Sequence, residues 1–473
     1  MPEMETVTHN TAESASTVNE APVLKNHWFR SVLFQVAVAC FVSFTAPGMW
    51  DALGGLGAGG AAKPYAVSAG NATMYSLFAV TCLIAGALNN RIGLRYALAI
   101  GAAGMPIYGA ALYTNNEHPT TWFLIFGSAL CGISIGFYYT SEATLMIGYP
   151  HPQDRGFYLA IWQTAKASGP IVGGAINLAL NSTTDKAGSV SRTTYIVFLT
   201  IMCLGPPVAF LLSPTERVRR KDGSRILIHN EPTTKAEMKS VFSLMLTRRM
   251  ILLMPAFFVS YFYLGFLSTW LTVYFTVRSR AFSSFVTNWA GVISSYLIGY
   301  LLDRQNINLR IRAKIAFSSI ITVLLGTWIW VTVMQDKYNK MDKPPVWDWF
   351  TEGFNTGYPI IWFWVFGGQA FQQFCYWVVG QLSNDIASLN RHCGILRSFE
   401  AMGQAIAWGM QSTKANHFVS MGLNFGLLVF CIYPTWKVLS ELEENTVVME
   451  SVQVLEQPAT KEVEAAPQQH DTK

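Results

Sequence analysis

The chain has 473 residues, of which 51% are hydrophobic and only 13% are charged, with a formal net charge of +5. Soluble proteins carry roughly 25% charged residues, so this composition excludes a soluble domain built around a single core. The sequence contains no GxxxxGK[ST], GxSxG or HExxH motif and no pair of catalytic carboxylates. It therefore predicts neither an enzyme nor an ATP-driven pump, and neither a cofactor nor a metal site.

Apolar runs free of strong helix breakers predict an all-α membrane protein with about twelve spans. The runs 31–49 and 193–212 carry no charge and are long enough to cross a hydrocarbon layer of roughly 30 Å. The first 27 residues lack the apolar region of a signal peptide, so the first span is expected to act as its own insertion signal. The predicted spans are 29–50, 70–88, 95–113, 121–147, 157–180, 193–212, 250–275, 284–302, 313–334, 358–380, 394–413 and 417–437.

These spans predict two six-helix halves, 29–212 and 250–437, joined by a polar and basic linker, 213–249. The tails 1–28 and 438–473 are polar, acidic and without apolar periodicity, so both are expected to be disordered.

Orientation is predicted from Lys and Arg, which are held on the cytoplasmic side of a membrane. With both termini inside, about 21 basic residues fall in cytoplasmic segments and about 9 outside. The same orientation places the two N-x-[ST] sequons, at Asn71 and Asn181, in outside loops, where they are candidate glycosylation sites.

A short motif recurs after the second span of each half. Both copies fit G-x-L-x-[DN]-R, and their equivalent positions indicate that one half is a duplicate of the other. The first copy contains Gly86, Asn90, Arg91, Gly93 and Arg95, and the second contains Gly299, Asp303 and Arg304.

This repeat resembles the loop motif G-x-L-x-D-R-x-G-x-R of the major facilitator superfamily. The resemblance implies a cytoplasmic latch in which Asp303 caps the N-terminus of a helix in the opposite half, with Asp154 and Arg155 as neighbours. A carboxylate is stabilised there by unpaired amides and the positive end of the helix dipole. Asn90 replaces the acid in the first half, so that latch should be weaker. The alternative is a merely polar turn between spans.

The fifth span carries a row of small residues, Gly156, Ala165, Gly169, Pro170, Gly173 and Gly174. The row is similar to the G-x8-G-x3-G-P-x2-G-G motif of major facilitator antiporters, chiefly exporters, and departs from it only at Ala165. Gly291, Ser295 and Gly299 form a matching row on the eighth span, so the two helices are expected to approach closely. Simple helix packing is the alternative to an antiporter function.

The run Gly48-Met-Trp50-Asp-Ala-Leu-Gly-Gly-Leu-Gly-Ala-Gly-Gly60 closes the first span. It resembles the signature G-M-W-x-A-L-x-G-L-G-A-G-G of the family named for the worm "uncoordinated-ninety-three" protein, a branch of the major facilitators. Similar stretches surround Tyr149, Asp303 and Tyr376, so the resemblance covers nearly the whole membrane region but neither tail.

Three charged residues inside predicted spans are singled out: Glu142 on the fourth, Lys166 on the fifth and Glu400 on the eleventh. Charge within a membrane is costly unless it is paired or wetted, so it marks functional candidates. An ion pair between Glu142 and Lys166 would fix helix register. Alternatively, one of the carboxylates takes up a proton as substrate leaves, since removal from water favours the neutral form.

The tenth span carries Gln369, Gln372, Gln373 and Tyr376 on one helix face. Lipid would not tolerate that face, so it must meet a wet cavity or form hydrogen bonds between helices. The family resemblance implies that spans 1, 4, 7 and 10 line a central cavity, which places Gln372 and Tyr376 beside Tyr138, Tyr139, Tyr263 and Trp270. Such a mostly uncharged, aromatic lining suits a small amphipathic organic solute.

Two functions follow. The first is a secondary transporter that works by alternating access around a midplane site, with export by proton antiport favoured. The second is a non-transporting partner of a membrane channel or receptor, because named members of the resembled branch regulate a potassium channel or accompany receptors during trafficking. The lipid bilayer is a partner under both, and nucleic acid under neither.

Overall fold

The computed structural model describes residues 28–55, 64–118, 120–181, 192–226, 228–229, 231–342, 345–411 and 417–442. The two tails predicted to be disordered lie outside these residues except for 28 and 438–442. Within the described residues the regular structure is helical, and it comprises sixteen α-helices with a few short turns of 3-10 or π helix.

The first half contains eight of these helices. Four short ones lie at its ends as pieces of broken spans, and the other four are long. They are α1 (Val32–Ser43), α2 (Met49–Gly55), α3 (Pro64–Ile92), α4 (Leu94–Glu117), α5 (Thr121–Gly148), α6 (Arg155–Asn181), α7 (Arg192–Cys203) and α8 (Gly205–Ala209).

The linker contains α9 (Thr234–Met245), and the second half follows it. The side of the bundle that carries α9 is called the linker side below. The helices of the second half are α10 (Arg248–Val259), α11 (Tyr263–Tyr274), α12 (Val277–Leu302), α13 (Leu309–Asn339), α14 (Phe354–Leu382), α15 (Ile386–Gln411) and α16 (His417–Ser440).

Three spans are built from two helices each. A π-helical turn that contains Pro47 joins α1 to α2, and Gly205 with Pro206 follows the break between α7 and α8. A short turn separates α10 from α11. Proline lacks a backbone N–H and clashes with the preceding turn, which accounts for the first two breaks. With these pairs each counted as one span, the helices confirm the predicted fold of about twelve spans in two halves.

Eight helical stretches in the described part of the chain are long and apolar enough to cross a membrane, and Tyr195–Ala209 is a shorter apolar stretch. The other spans, α6, α14 and α15, are long enough but too polar to meet that criterion. These three carry Lys166, the Arg397–Glu400 pair and the glutamines of α14, because their polar faces turn toward protein rather than lipid.

The two halves meet mainly where α6 packs on α12 and α3 packs on α15. Glycines allow this approach: a Cβ added to Gly156 would lie 2.6 Å from the Gly299 carbonyl oxygen, and one added to Gly394 would lie 2.9 Å from the Gly86 Cα. Counted as spans, α6 and α12 are spans 5 and 8, and α15 and α3 are spans 11 and 2. The two pairs are equivalent if each six-span half is a copy of the other, because span 5 then corresponds to span 11 and span 8 to span 2. The contacts therefore show the symmetry that the sequence repeat predicts.

Candidate functional site

Glu400 on α15 sits in a fully buried polar network. Its Oε1 is ion-paired with the Arg397 guanidinium, and its Oε2 accepts hydrogen bonds from Gln372 Nε2 at 3.0 Å and Ser260 Oγ at 3.4 Å. Gln372 in turn accepts a 2.6 Å hydrogen bond from the Tyr261 hydroxyl. Both carboxylate oxygens are therefore satisfied, and the negative charge is balanced one helical turn away.

Glu142 on α5 has different surroundings, although it too is fully buried. Its Oε1 accepts hydrogen bonds from Ser43 Oγ and, at 2.9 Å, from the Tyr138 hydroxyl. Its Oε2 makes no hydrogen bond to the described residues. No cation of the described chain lies within 4.0 Å, so the ion pair with Lys166 that the sequence allowed is not formed. Among the described residues the group therefore has hydroxyl donors and no ion-pair partner.

Lys166 on α6 lies between aromatic rings. Its Nζ is 5.4 Å from the ring centroid of Tyr139 and 5.6 Å from that of Tyr261. The Tyr139 ring also carries the Arg397 guanidinium, with Cζ 4.1 Å from the centroid. Because α15 belongs to the second half, Tyr139 and its two cations form a contact between the halves, of the cation–π kind.

A cavity of about 40 Å³ opens between the halves beside Lys166. Five of its lining residues come from the first half and four from the second. They are Asp51, Gln163, Lys166, Ala167 and Pro170, and Asn288, Gly291, Val365 and Gln369. A water molecule needs roughly 10–15 Å³ measured in this way. The cavity thus holds a few waters and is too small for an organic solute in this conformation.

The other predicted binding residues lie outside this cavity. Gln372 and Tyr376 are fully buried, and the Tyr376 ring packs edge-on against Trp162 with centroids 5.1 Å apart. Trp270 belongs to an aromatic cluster in the second half, stacked on Tyr338 at 5.5 Å. Glu142 and Glu400 do not line the cavity either, so the structure brings Lys166 to it but not the carboxylates predicted to accompany that lysine.

Asp303 follows α12 on the linker side. Its Oδ1 accepts the Gly156 backbone N–H at 2.8 Å, and its Oδ2 accepts the Phe157 N–H at 2.7 Å. Both amides belong to the first turn of α6, in the opposite half. Arg155 donates instead to the Ile147 carbonyl at 2.7 Å and to Asn384 Oδ1 at 2.9 Å. The acid thus contacts a helix N-terminus across the interface, while its role as a latch remains a prediction.

The first copy of the motif makes different contacts. Asn90 Nδ2 donates to the Ala387 carbonyl and to Glu237 Oε2, each at 3.1 Å. Asn390 Nδ2 donates to Asn90 Oδ1 at 2.6 Å.

The remaining motif residues make local contacts. Arg91 donates to the Glu231 carbonyl at 2.6 Å. Gly93 has φ +87°, a conformation that favours glycine at the turn into α4. Arg95 lies near the Phe210 ring, 5.6 Å from its centroid, and Arg304 donates to the Tyr300 hydroxyl.

The small-residue row of α6 packs against both halves. A Cβ added to Gly169 would lie 2.2 Å from the Gly48 backbone, and one added to Gly173 would lie 2.5 Å from Ala52 Cβ. At Gly174 it would lie 2.9 Å from the Phe285 nitrogen of the second half. Pro170 of the same row lines the cavity. The row therefore places α6 close to the first span, to α12 and to the cavity.

The asparagines of the two sequons occupy different positions in the helices. Asn71 was expected in a loop, yet α3 begins at Pro64, so Asn71 lies within the helix and its Oδ1 accepts a 3.2 Å hydrogen bond from the Tyr108 hydroxyl. Asn181 is the last residue of α6, and its side chain lies outside the described residues.

Two charged residues were missed as site candidates from the sequence. Arg397 lies three residues before Glu400, so the i, i+3 spacing within a predicted span was the available signal. Asp51 was read only as part of the glycine-rich signature, although a lone acid at the end of an uncharged span is itself a signal. Within the described chain, no group of three His, Cys, Asp or Glu side chains could hold a metal ion.

Known proteins resemble the chain over nearly its whole length. The family description "Major Facilitator Superfamily" matches residues 28–407. Notoamide biosynthesis cluster protein O' of Aspergillus versicolor is 34% identical, over 86% of this chain and 88% of that protein. UNC93-like protein 1 of Arabidopsis thaliana is 31% identical, over 88% of this chain and 92% of that protein.

Solved transporter structures share the fold. The transporter FucP, in the outward conformation, has a TM-score of 0.61 at 9% identity, over 87% of this chain and 99% of that one. The proton:xylose symporter XylE also has a TM-score of 0.61, at 12% identity, over 86% and 96% of the two chains. The chain therefore belongs to the major facilitator superfamily, and within it resembles the UNC93-like branch.

Proposed function

We propose that the chain is a secondary transporter that moves a small amphipathic organic solute by alternating access, with export coupled to proton entry. The observation that carries this proposal is the cavity between the halves. It presents a carboxylate and an ammonium group, Asp51 and Lys166, together with amides and apolar surface. Charged groups inside a membrane fold are costly and mark the path of a substrate or ion.

The small volume of the cavity agrees with an occluded conformation. A solute larger than a few waters enters only when the halves separate, because both halves line the space. The glycine contacts between α6 and α12 have no protruding side chains, so the two helices can change their angle while they stay in contact. The relative whose name places it in a biosynthesis cluster supports a small organic compound as the solute.

Glu142 is the proposed site of proton uptake. A buried carboxylate without an ion-paired cation is costly to keep charged, and a proton removes that cost. Glu400 was an equal candidate from the sequence, but its ion pair with Arg397 favours Glu142 for this role. Gln372, Tyr376, Tyr139 and Trp270 would then shape the pathway when the halves separate.

The linker side is proposed to be cytoplasmic. The excess of Lys and Arg in the segments on that side supports this orientation. Asn71 and Asn181 would lie at the other side, where modification of either asparagine remains a proposal.

A vesicle assay tests the proposal. The purified chain is reconstituted, a pH gradient is imposed, and movement of amphipathic amines, acids and zwitterions is followed together with proton flux. We expect one solute class to accumulate against its gradient in the parent. Glu142→Gln should retain solute exchange between equal pools but lose the dependence on the pH gradient, because the amide cannot take up a proton.

Glu441→Gln is the matched control, since that carboxylate is partly exposed and paired with Arg248. It should behave as the parent. If no solute moves under any gradient, and a membrane channel or receptor co-purifies instead, the regulatory function of the UNC93-like branch replaces transport. The observation that favours this second candidate is the similarity to UNC93-like proteins over 88% of the chain.

A further inference from the structure

The linker helix α9 has two faces of different chemistry. One face packs on the ends of α3 and α15, and it buries Glu237 and Val241 completely. The opposite face is exposed. Neither face belongs to the cavity or to the Asp303 contact, so α9 needs an explanation of its own.

The inner face carries a carboxylate that joins the halves. Glu237 Oε2 accepts the Asn90 amide at 3.1 Å and Arg391 Nε at 3.0 Å, and its Oε1 accepts the Glu231 N–H at 2.8 Å. Burial opposes the charge, but the hydrogen bonds from Arg391, Glu231 and Asn90 outweigh it and hold the pKa of Glu237 below its ordinary value. Glu237 is therefore ionised at neutral pH.

The Glu237 carboxylate lies beside the position at which the first copy of the motif lacks an acid. Asn90 lies in the last turn of α3 in the first half, and Arg391 lies on α15 in the second half. The motif would place an acid at position 90, and the linker instead delivers one to the amide of that residue. The pair α3 and α15 is thus held by a charge that comes from neither helix.

The outer face combines cations with apolar side chains in one stripe. Lys235, Lys239, Phe242 and Leu246 follow each other at intervals of four, three and four residues, which aligns them on a helix. Phe242 is 47% and Leu246 69% exposed. Thr247 alone separates Leu246 from the membrane span that begins at Arg248, so this end of α9 lies at the membrane surface.

We propose that α9 is a clamp, whose inner face supplies the missing latch carboxylate and whose outer face docks on anionic lipid headgroups. Apolar side chains that insert beside lysines are typical of interfacial helices. The anionic surface of the cytoplasmic leaflet attracts such lysines, and this step rests on the proposed orientation. Docked α9 keeps Glu237 in place and the linker side closed, whether or not a solute is transported.

The test uses the full chain without its native cysteines and with Ala387→Cys as reporter. Ala387 is fully buried at the contact with Asn90, so its labelling by a charged thiol reagent reports separation of the halves. Labelling is measured in phosphatidylcholine nanodiscs with and without phosphatidylserine. We expect phosphatidylserine to slow labelling at least threefold. Lys235→Gln with Lys239→Gln should remove that difference, whereas Lys437→Gln on exposed α16 should preserve it.

The inner face is tested by moving the charge. Glu237→Gln should label faster in both lipids, and Glu237→Gln combined with Asn90→Asp should return toward the parent rate, because the acid is then in the motif position. Thermal unfolding of the single variant in detergent checks that it is folded. The proposal is overturned if lipid has no effect on the parent, if inorganic phosphate reproduces the lipid effect, if Lys437→Gln removes it, or if Glu237→Gln leaves labelling unchanged.

Discussion

At the scale of single residues, two buried carboxylates of the same type have opposite surroundings. Glu400 is paired with Arg397, whereas Glu142 is held by Ser43 and Tyr138. When both partners of an ion pair are buried, their mutual attraction offsets the cost of removing each charge from water. Removing one partner then leaves an uncompensated charge, which is the more expensive situation.

A double-mutant cycle on Arg397 and Glu400 measures this difference. Arg397→Leu alone should lower the free energy of unfolding by about 3–5 kcal/mol, because Glu400 is left charged and buried. The double variant Arg397→Leu with Glu400→Leu should be less destabilised than either single variant. Thermal unfolding in detergent provides the readout. A double variant as unstable as the sum of the singles would show that the pair acts as two independent groups.

At the scale of elements, the two copies of the repeated motif contact the opposite half of the molecule through different residues. The contact of Asp303 with the first turn of α6 needs only residues of α12 and α6. The contact of Asn90 needs the linker helix as well. A helix N-terminus attracts an acid through its unpaired amides, so the Asp303 contact was accessible to prediction from its motif.

The Asp303 contact should respond to pH. Burial raises the pKa of Asp303 to about 6, although the Gly156 and Phe157 amides act against this. An aspartate free in water has a pKa of roughly 3.9, so the closed form binds the proton more tightly. Acidification from pH 7 through 6 toward 4 should therefore favour closure. The stability that proton binding at Asp303 adds to the closed form is lost again as the pH rises through 6.

Labelling of Ser295→Cys, at a fully buried position of α12, reports this closure. Between pH 7 and 5 the parent should show a larger slowing than the Asp303→Asn background, which supplies the intrinsic pH dependence of the thiol. Asp303→Asn should also label faster at pH 7, because its amide N–H faces one of the two backbone donors. Identical pH responses in the two backgrounds would exclude Asp303 as the titrating group.

At the scale of the whole molecule, closure of the linker side depends on glycines in both helix pairs. A Cβ at Gly299 would lie 2.6 Å from the Gly156 oxygen, and one at Gly394 would lie 2.6 Å from the Cys82 oxygen. Real Cβ atoms do not approach backbone so closely, so a methyl group must push the helices apart. The strain is relieved most easily by moving one half against the other.

Gly299→Ala and Gly394→Ala should therefore increase the distance between labels placed on the two halves at the linker side, by roughly 1–2 Å or by a shift toward an open population. Gly326→Ala on α13 is the control, since a Cβ there meets nothing within 4 Å. Spin-label distance distributions provide the measurement. An unchanged distribution in both variants would mean that each pair absorbs a methyl group by itself.

The sequence by itself determined the membrane class, about twelve spans, the duplicated halves and the family, and these predictions are confirmed. They rest on hydropathy and on short motifs, which are properties of neighbouring residues. The Arg397–Glu400 pair, three residues apart on one helix, was accessible from the sequence spacing. Only the tertiary structure decided that Lys166 lines a cavity with Asp51, and that Asn90 meets Glu237 from 147 residues away. A pattern along the chain records which groups must avoid lipid. It does not record their partners, because a buried polar side chain is satisfied by any suitable group that the packing of distant helices brings to it.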